Sequence, residues 1–560
     1  MMQKKLNRFV AMTMIVTFIT SSMSAFAKSN TEFVLVDTST NADIVYSNEM
    51  IGNNYTMASG RYTTSIYSGD KIEIPVDTAY VGTTGGELTS DNYEYKNNVV
   101  DLTIGESASF TINAPKDAQY FICFDYLTYS NSILPVEFSL SLNGEIPFYE
   151  ARRLVFESNW VDKDEKSYDR YGNEIVSIPD KRLQWENKYI MDTSYRYSTP
   201  LALELKEGKN TIELNISEGS MLLGNIYLTG ETAIPKYTKA DAMEGAQVIE
   251  LEAERMDYRN DSSIRPTGEY DVALTPYDTS AKILNVIDSA SFNKAGQSVT
   301  YKFNLDNAGY YSLAFAYKQS DKTDFPVFGD IRVDGVILNI LMQSYPFDYT
   351  KNYKNLTLKD EESDDIAVFL EEGEHTISLT INNDNIRHVL EAIDRIMSEI
   401  NDLTLEITKV AGKNKDKYRD LNLVEYIPDV EERLINWANQ LDSLQESVRQ
   451  YNTDVKKIAA FSSINIASSR LRSLAEEPND IPYRINELAQ SSNSVTQYLA
   501  NLIDILNQNA LSLDKVFINR TENFQPVQEY LRACISVFQD FSPLLPIKHT
   551  QQQEQKRLYW

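Results

Sequence analysis

Apolar and polar residues alternate in short runs through much of the first 385 positions, and the runs repeat. SASFTINAPKDAQYFICFDYL (107–127) is echoed by SVTYKFNLDNAGYYSLAFAYK (298–318), LPVEFSLSLNG (134–144) by FPVFGDIRVDG (325–335), and PLALELKEGKNTIELNI (200–216) by DIAVFLEEGEHTISLTI (365–381). Each run has period two, is rich in Val, Ile, Phe, Tyr and Thr, and breaks at a turn signal such as Asn143-Gly144, Asp334-Gly335 or a Glu-Gly pair. That pattern predicts strand–turn–strand units with one buried face each. Stacked in pairs, such sheets make antiparallel β-sandwiches, here two in tandem.

After residue 385 the period lengthens. Ile386, Val389, Ile393, Ile396, Ile400, Leu403, Ile407 and Val410 recur three or four apart, which predicts a helix stopping at Gly412. DLTLEIT (402–408) also reads as a last sandwich strand, and that alternative stays open at this point. Further apolar seams run from Leu434 through Trp437 to Ile458, from Leu488 to Leu506, and over 526–541, with Pro428, Pro478 and Pro482 between them. One stripe per helix with short connections predicts a helical bundle or hairpin. The same seams would admit a coiled-coil partner, though the prolines favour packing within the chain.

The domain plan is therefore 1–27 leader, 28–232 first sandwich, 233–247 linker, 248–385 second sandwich, 386–545 helical segment and 546–560 polar tail. The first copy is expanded between its blocks by a polar, Tyr-rich stretch, 160–198, which reads as a large loop on a rigid scaffold.

Composition narrows the function. Lys4, Lys5 and Arg8, the apolar run FVAMTMIVTFI and Ala25-Phe26-Ala27 make a secretory signal, so the protein is expected outside the cell, with no membrane span after cleavage. A formal net charge of −28 argues against nucleic acid and anionic lipid surfaces as partners. The chain's two cysteines, Cys123 and Cys534, cannot form a disulfide framework, and Cys123 reads as a small core residue. The three histidines, His375, His388 and His549, fall in no zinc, triad, phosphate-loop or dinucleotide motif. The 81 acidic residues could still hide a glycosidase pair, but they fall mostly on polar strand faces and turns, and the expectation is no enzyme. Sugar binding needs ring faces beside planar polar groups. The expanded stretch supplies both: Trp160, Tyr168, Tyr171 and Trp185 with Asp169, Arg170 and Asn173 are the candidate ligand residues.

The block order resembles the galactose-binding-like jelly rolls, including carbohydrate-binding modules of families six and thirty-five. VIELEAERMDY (248–258) looks like the opening strand of those modules, whose Glu-x-Glu often holds a structural calcium. The resemblance thus implies Glu252 and Glu254 as calcium ligands, and no other cofactor. It also implies a ligand-binding Asn at one of Asn382, Asn383 or Asn385. EAIDRIMSEINDLTLEITKVAGKNKDKYRDLNLVEYIPDV (391–430) and YDRYGNEIVSIP (168–179) resemble a group of large clostridial and bacillar extracellular solute-binding proteins that serve sugar-type ABC importers. In that group such units precede a two-lobed solute-binding domain, and no αβ alternation for those lobes is present here. The expectation is a non-catalytic, carbohydrate-associated protein at a Gram-positive-type cell surface, an accessory or truncated N-terminal part of such a receptor. Its partners would be an oligosaccharide or cell-wall glycan and a solute-binding domain or ABC permease. A structural or spacer module without sugar binding is the alternative, and a glycoside-active enzyme a third.

Overall fold

The computed structural model describes residues 53–519, apart from short stretches at 83, 131, 164, 196, 198, 232, 240–246, 324, 413–421 and 452–460. The expected leader, the fourth apolar seam and the polar tail lie outside the described residues. Residues 53–62 with Pro147–Glu150 belong to a small separate unit. There Asn54 caps the helix Tyr55–Ser59, and the Glu150 carboxylate accepts from the Tyr55 amide at 2.7 Å.

The first sandwich has two antiparallel sheets. One contains β4 (Ser107–Ala114), β14 (Gly208–Glu218), β6 (Val136–Leu142) and β7 (Leu154–Phe156), in that order. The other runs β12 (Glu186–Tyr189), β5 (Ala118–Thr128), β15 (Ser220–Thr229), β3 (Val99–Thr103) and β2 (Glu87–Thr89), with β1 (Ile72–Ile74) on β15 and β13 (Ala202–Leu205) on β5. Period two puts Ala108, Phe110, Ile112 and Ala114 of β4 inward, all essentially unexposed.

The second sandwich repeats this order strand for strand. Its β20 (Ser298–Leu305), β26 (Gly373–Asn382), β22 (Val327–Val333) and β23 (Tyr345–Phe347) stand where β4, β14, β6 and β7 stand in the first. Phe110 pairs Ile212 as Tyr301 pairs Ile377, four equivalent core positions. The two hairpin turns also match. Asn143-Gly144 and Asp334-Gly335 all take positive φ, as a two-residue turn that continues the strand twist requires. In both, the side-chain oxygen accepts an amide of the neighbouring strand at 2.8 Å, Thr211 for Asn143 and Thr376 for Asp334.

The second sheet of the second sandwich contains β16 (Ile249–Glu252), β27 (Ser512–Ile518), β21 (Gly309–Lys318) and β24 (Lys354–Thr357), with β25 (Ala367–Leu370) on β21. Here the structure corrects the expected helical segment 386–545: Ser512–Ile518 is a strand. It lies between β16 and β21 and is the counterpart of β15. In the first copy a single residue, Gly219, joins β14 to β15; in the second, the whole bundle intervenes between β26 and β27. The bundle is thus an insertion in the second sandwich, not a domain that follows it.

The bundle consists of α1 (Arg387–Ala411), α2 (Val430–Ser447), α3 (Ser462–Glu476), α4 (Ile481–Leu488) and α5 (Val495–Asn507). Residues 402–408 are helical within α1, which removes the strand alternative, and α1 ends at Gly412 with φ +72°. Its apolar stripe packs with Trp437, Leu441, Leu471 and Leu499 in one core, which Phe325 and Phe328 of the second sandwich join through ring contacts with Tyr451 and Phe461. Lys322, fully buried at this junction, donates to the Leu506 carbonyl and to Asn509 Oδ1, both at 2.7 Å. Among the described residues no helix is long and apolar enough to cross a membrane.

A cleft between the sandwiches as candidate ligand site

The expanded stretch 160–198 is not a free loop. Its β8 (Trp160–Val161) and β11 (Asp180–Lys181) extend the second sandwich's sheet, with Trp160 opposite Arg259 of β17 (Tyr258–Arg259), which in turn pairs β20. Its β12 belongs to the first sandwich. The stretch therefore clamps one sandwich to the other. Arg259, 1 % exposed, holds Asp162 with two bonds of 2.6 and 2.8 Å. Glu174, equally enclosed, accepts from Arg255 and from the Leu284 amide. The Arg255 guanidinium and the Leu284 amide hold its carboxyl below the usual range, although burial alone would raise it.

The seven candidate ligand residues are not brought together. Tyr168, Asp169, Arg170, Tyr171 and Asn173 form the end of the hairpin β9 (Ser167–Tyr168)–β10 (Glu174–Ile175). Asp169 closes its turn by accepting from the amides of Tyr171 and Asn173 and from the Asn173 side chain, which lower its carboxyl's pKa. Asn173 Oδ1 accepts from the Lys282 amide, so it tethers the hairpin to the second sandwich. Arg170 lies over the Tyr171 ring. Trp185 packs on Tyr95, with centroids 4.2 Å apart, on the outer face of the first sandwich, and its indole donates to the Asn92 carbonyl.

Trp160 alone of the seven reaches a sizeable cleft, of about 630 Å3, between the two sandwiches. It is only 6 % exposed. The wall on the first sandwich combines an aliphatic patch, Ile133, Leu134 and Pro135, the first two 72 % and 51 % exposed, with the polar Glu157, Ser158, Thr193 and Ser194. The facing wall is polar: Asn260, Asp261, Ser262, Lys294 and Gln297 of the second sandwich. Asn383 and Asn507, at the two chain crossings into the bundle, complete it and hydrogen-bond each other at 3.1 Å. Tyr195 lies where the walls meet, at φ +50°, its hydroxyl donating to Glu157, which also pairs with the half-buried Lys188. Its ring rests on Gly296, where a Cβ would come within 2.1 Å of ring carbon. Gln297 is fixed by amide donors from Asn293 and Lys294 and donates to Asp261; Asn260 is fixed by Gly296 and Ser298. The polar wall is thus preorganised.

Sequence reasoning missed all of these lining residues except Trp160 and Asn383. Asn383 was implicated by resemblance, but its side chain is engaged with Asn507 and Asn509.

Glu252 and Glu254 differ in environment: Glu252 is partly exposed and pairs with Lys515 at 3.2 Å, whereas Glu254 is enclosed. Glu254 is 2 % exposed in a 3-10 turn, and burial pushes its carboxyl up to about 8. Asp514 of β27, also buried, is pushed up to about 7 by the same cause. One oxygen each of Glu252, Glu254 and Asp514 is buried without a hydrogen-bond partner. Hard, unsatisfied carboxylate oxygens are the ligand type calcium takes. Among the described residues, however, no three acidic, His or Cys side chains converge as a ready-made metal cluster. The donor chemistry fits a cation, and a complete ligand set is not formed by these side chains alone.

Residues 388–506 match the family model described as bacterial solute-binding protein, 4-helix bundle domain. No curated protein matches the chain. Among solved structures, a family 35 carbohydrate-binding module from Clostridium thermocellum is 14 % identical over 29 % of this chain and 100 % of that one, with a TM-score of 0.19. A GH26-CBM35 β-(1,4)-mannanase from Podospora anserina is 13 % identical over 31 % of this chain and 30 % of that one, also at 0.19. A Paenibacillus xanthan lyase is 11 % identical over 55 % and 25 %, at 0.18.

Proposed function

We propose that the protein is a non-catalytic, carbohydrate-associated extracellular binding protein of the solute-uptake class. The observation that carries this reading is the bundle: residues 388–506 match the four-helix domain of bacterial solute-binding proteins. Two sandwiches with an open cleft accompany it, and a binding role is what such rigid scaffolds with preorganised polar walls support. On this reading the protein works at the surface of the exporting cell, delivers or retains a saccharide, and has a solute-binding domain or ABC permease as partner. Glu252 and Glu254, joined by Asp514, would hold a structural calcium that ties β16 to β27. The ion would supply charge compensation there and no chemistry.

The test is affinity electrophoresis and titration calorimetry of the intact protein over neutral polysaccharides and oligosaccharides, together with turnover assays on the same panel. Retention without turnover is expected. No retention on any of them would overturn the reading in favour of a structural module, and turnover would overturn its non-catalytic part.

A further inference from the structure

We infer that the cleft between the sandwiches is the saccharide site, and that its ligand is a neutral pyranose-based oligosaccharide held between modules. The inference rests on the carbohydrate reading above and adds where and how the sugar sits. Three observations carry it.

The first is an exposed aliphatic patch set opposite polar groups. A pyranose has an apolar face of C–H groups and a rim of hydroxyls. Ile133, Leu134 and Pro135 offer an aliphatic patch, with Ile133 and Leu134 largely open to solvent, on a side that also carries Glu157, Ser158, Thr193 and Ser194. Asn260, Asp261, Ser262 and Gln297 oppose them with donors and acceptors. A ligand polar all round would lose hydration against the aliphatic patch, and one apolar all round would strip water from the facing polar groups.

The second is charge. The chain carries −28, yet the cleft is balanced: Lys188 pairs with Glu157, and Lys294 stands with Asp261 on the polar wall. A near-neutral lining in a strongly acidic protein suits an uncharged ligand, since an anion would meet the surrounding field and a cation would be held better elsewhere.

The third is free hydrogen-bonding capacity at fixed positions. The Ser262 hydroxyl, the Lys294 ammonium and the Asn507 amide nitrogen line the cleft without a hydrogen-bond partner among the described residues. The neighbouring Asn260 and Gln297 are locked by their own bonds. Locked neighbours beside open donors lower the ordering cost of binding. The volume of about 630 Å3 accommodates two or three sugar rings. The chain's duplication explains why one cleft, not two, results. The site is built where the expanded first copy meets the second, from Trp160 and Tyr195 on one side and the 260–297 loops on the other.

The experiment titrates gluco-, manno-, galacto- and xylo-oligosaccharides into the intact protein and into Leu134→Arg, Ser262→Trp and Lys294→Glu. Ile104→Arg, an exposed position of the first sandwich outside the cleft lining, is the control. For whichever oligosaccharide binds, the first two variants are expected to weaken affinity at least tenfold and the third severalfold, with the control unchanged. Thermal melts accompany each titration. Should Ser262→Trp melt early, Leu134→Arg and Lys294→Glu, both at solvent-exposed side chains, decide the question. Binding that survives all three variants overturns the cleft and leaves the carbohydrate reading standing. Absence of any binding to the intact protein overturns both.

Discussion

Removing the Asp162 carboxylate should open the clamp between the sandwiches, and by more than removing its partner does. Arg259 is 1 % exposed and Asp162 22 % by side chain. In Asp162→Ala the guanidinium is left buried without a counter-charge. Breaking a buried pair this way costs about 3–5 kcal/mol. In Arg259→Met the apolar stem volume is kept, and Asp162 retains partial hydration and the bond from Ser177 at 3.2 Å. Arg259 Nε is moreover already buried without a partner, a penalty the methionine removes. The expected cost of Arg259→Met is therefore about 1 kcal/mol or less. Because Arg259 faces Trp160 across the β17–β8 pairing, hydrogen exchange of peptides covering 156–163 and 256–262 reports the opening locally. A loss of about 3 kcal/mol accelerates exchange there roughly a hundredfold. The double variant should exchange more slowly than Asp162→Ala alone. If Asp162→Ala changes exchange less than threefold, or Arg259→Met is the more damaging of the two, the reasoning about this pair is wrong.

Three other outcomes are expected. Burial pulls the Lys322 amine down to about 7, so between pH 7 and about 10 the unfolded chain binds more protons than the folded one, and stability rises with pH over that window. Lys322→Met should flatten that rise in denaturant melts, and an unchanged slope would refute it. Chelator should lower the melting temperature of the second sandwich if Glu252, Glu254 and Asp514 share a calcium, because a ligand bound only by the folded state stabilises it by mass action; coincident melts with and without calcium would remove the ion. Gly296→Ala places a Cβ 2.1 Å from the Tyr195 ring at φ +86°, and should cost at least about 2 kcal/mol. Tyr195→Ala in the same chain should recover part of that loss, and no recovery would show that the clash lies elsewhere.

Local pattern was legible where each residue's neighbours in sequence are also its reasons. Period two along 107–114 and the Asn143-Gly144 and Asp334-Gly335 turns encode the duplicated sandwich directly, and the three-four spacing from Ile386 to Val410 encodes α1. What escaped notice is what depends on partners far along the chain. SLDKVFI at 512–518 is an ordinary short strand whose place in the sheet is fixed only by β16 and β21. The available signal was that the second copy lacked a counterpart of Ser220–Thr229. Trp160-Val161 is two residues long, and nothing local states that it pairs with Arg259. The aromatic and polar side chains of the 168–173 hairpin looked like a binding cluster because composition does not tell a turn closed by its own Asp169 from one open to a ligand. Glu254 was implicated only by resemblance, and its burial follows from the turn at Ala253, which no local alternation announces.

Placing the bundle between β26 and β27 sets an order of events for a chain that is synthesised from its N-terminus and emerges as an unfolded thread. When Asn382 has emerged, the second sandwich has all its strands but one. Its β16 and β21 then face an empty slot, two unpaired edges of the kind that recruit strands from other chains. The slot can be filled only after residues 383–511 have followed. A disordered connection of that length would make closure entropically costly. A bundle that folds first removes much of that cost, because its own core brings Ile386 and Leu506 to one end, where Asn383 meets Asn507. The inserted helices therefore act as the clasp that delivers β27 to its slot. Destabilising their core should raise aggregation during synthesis before it alters anything in the finished sandwich.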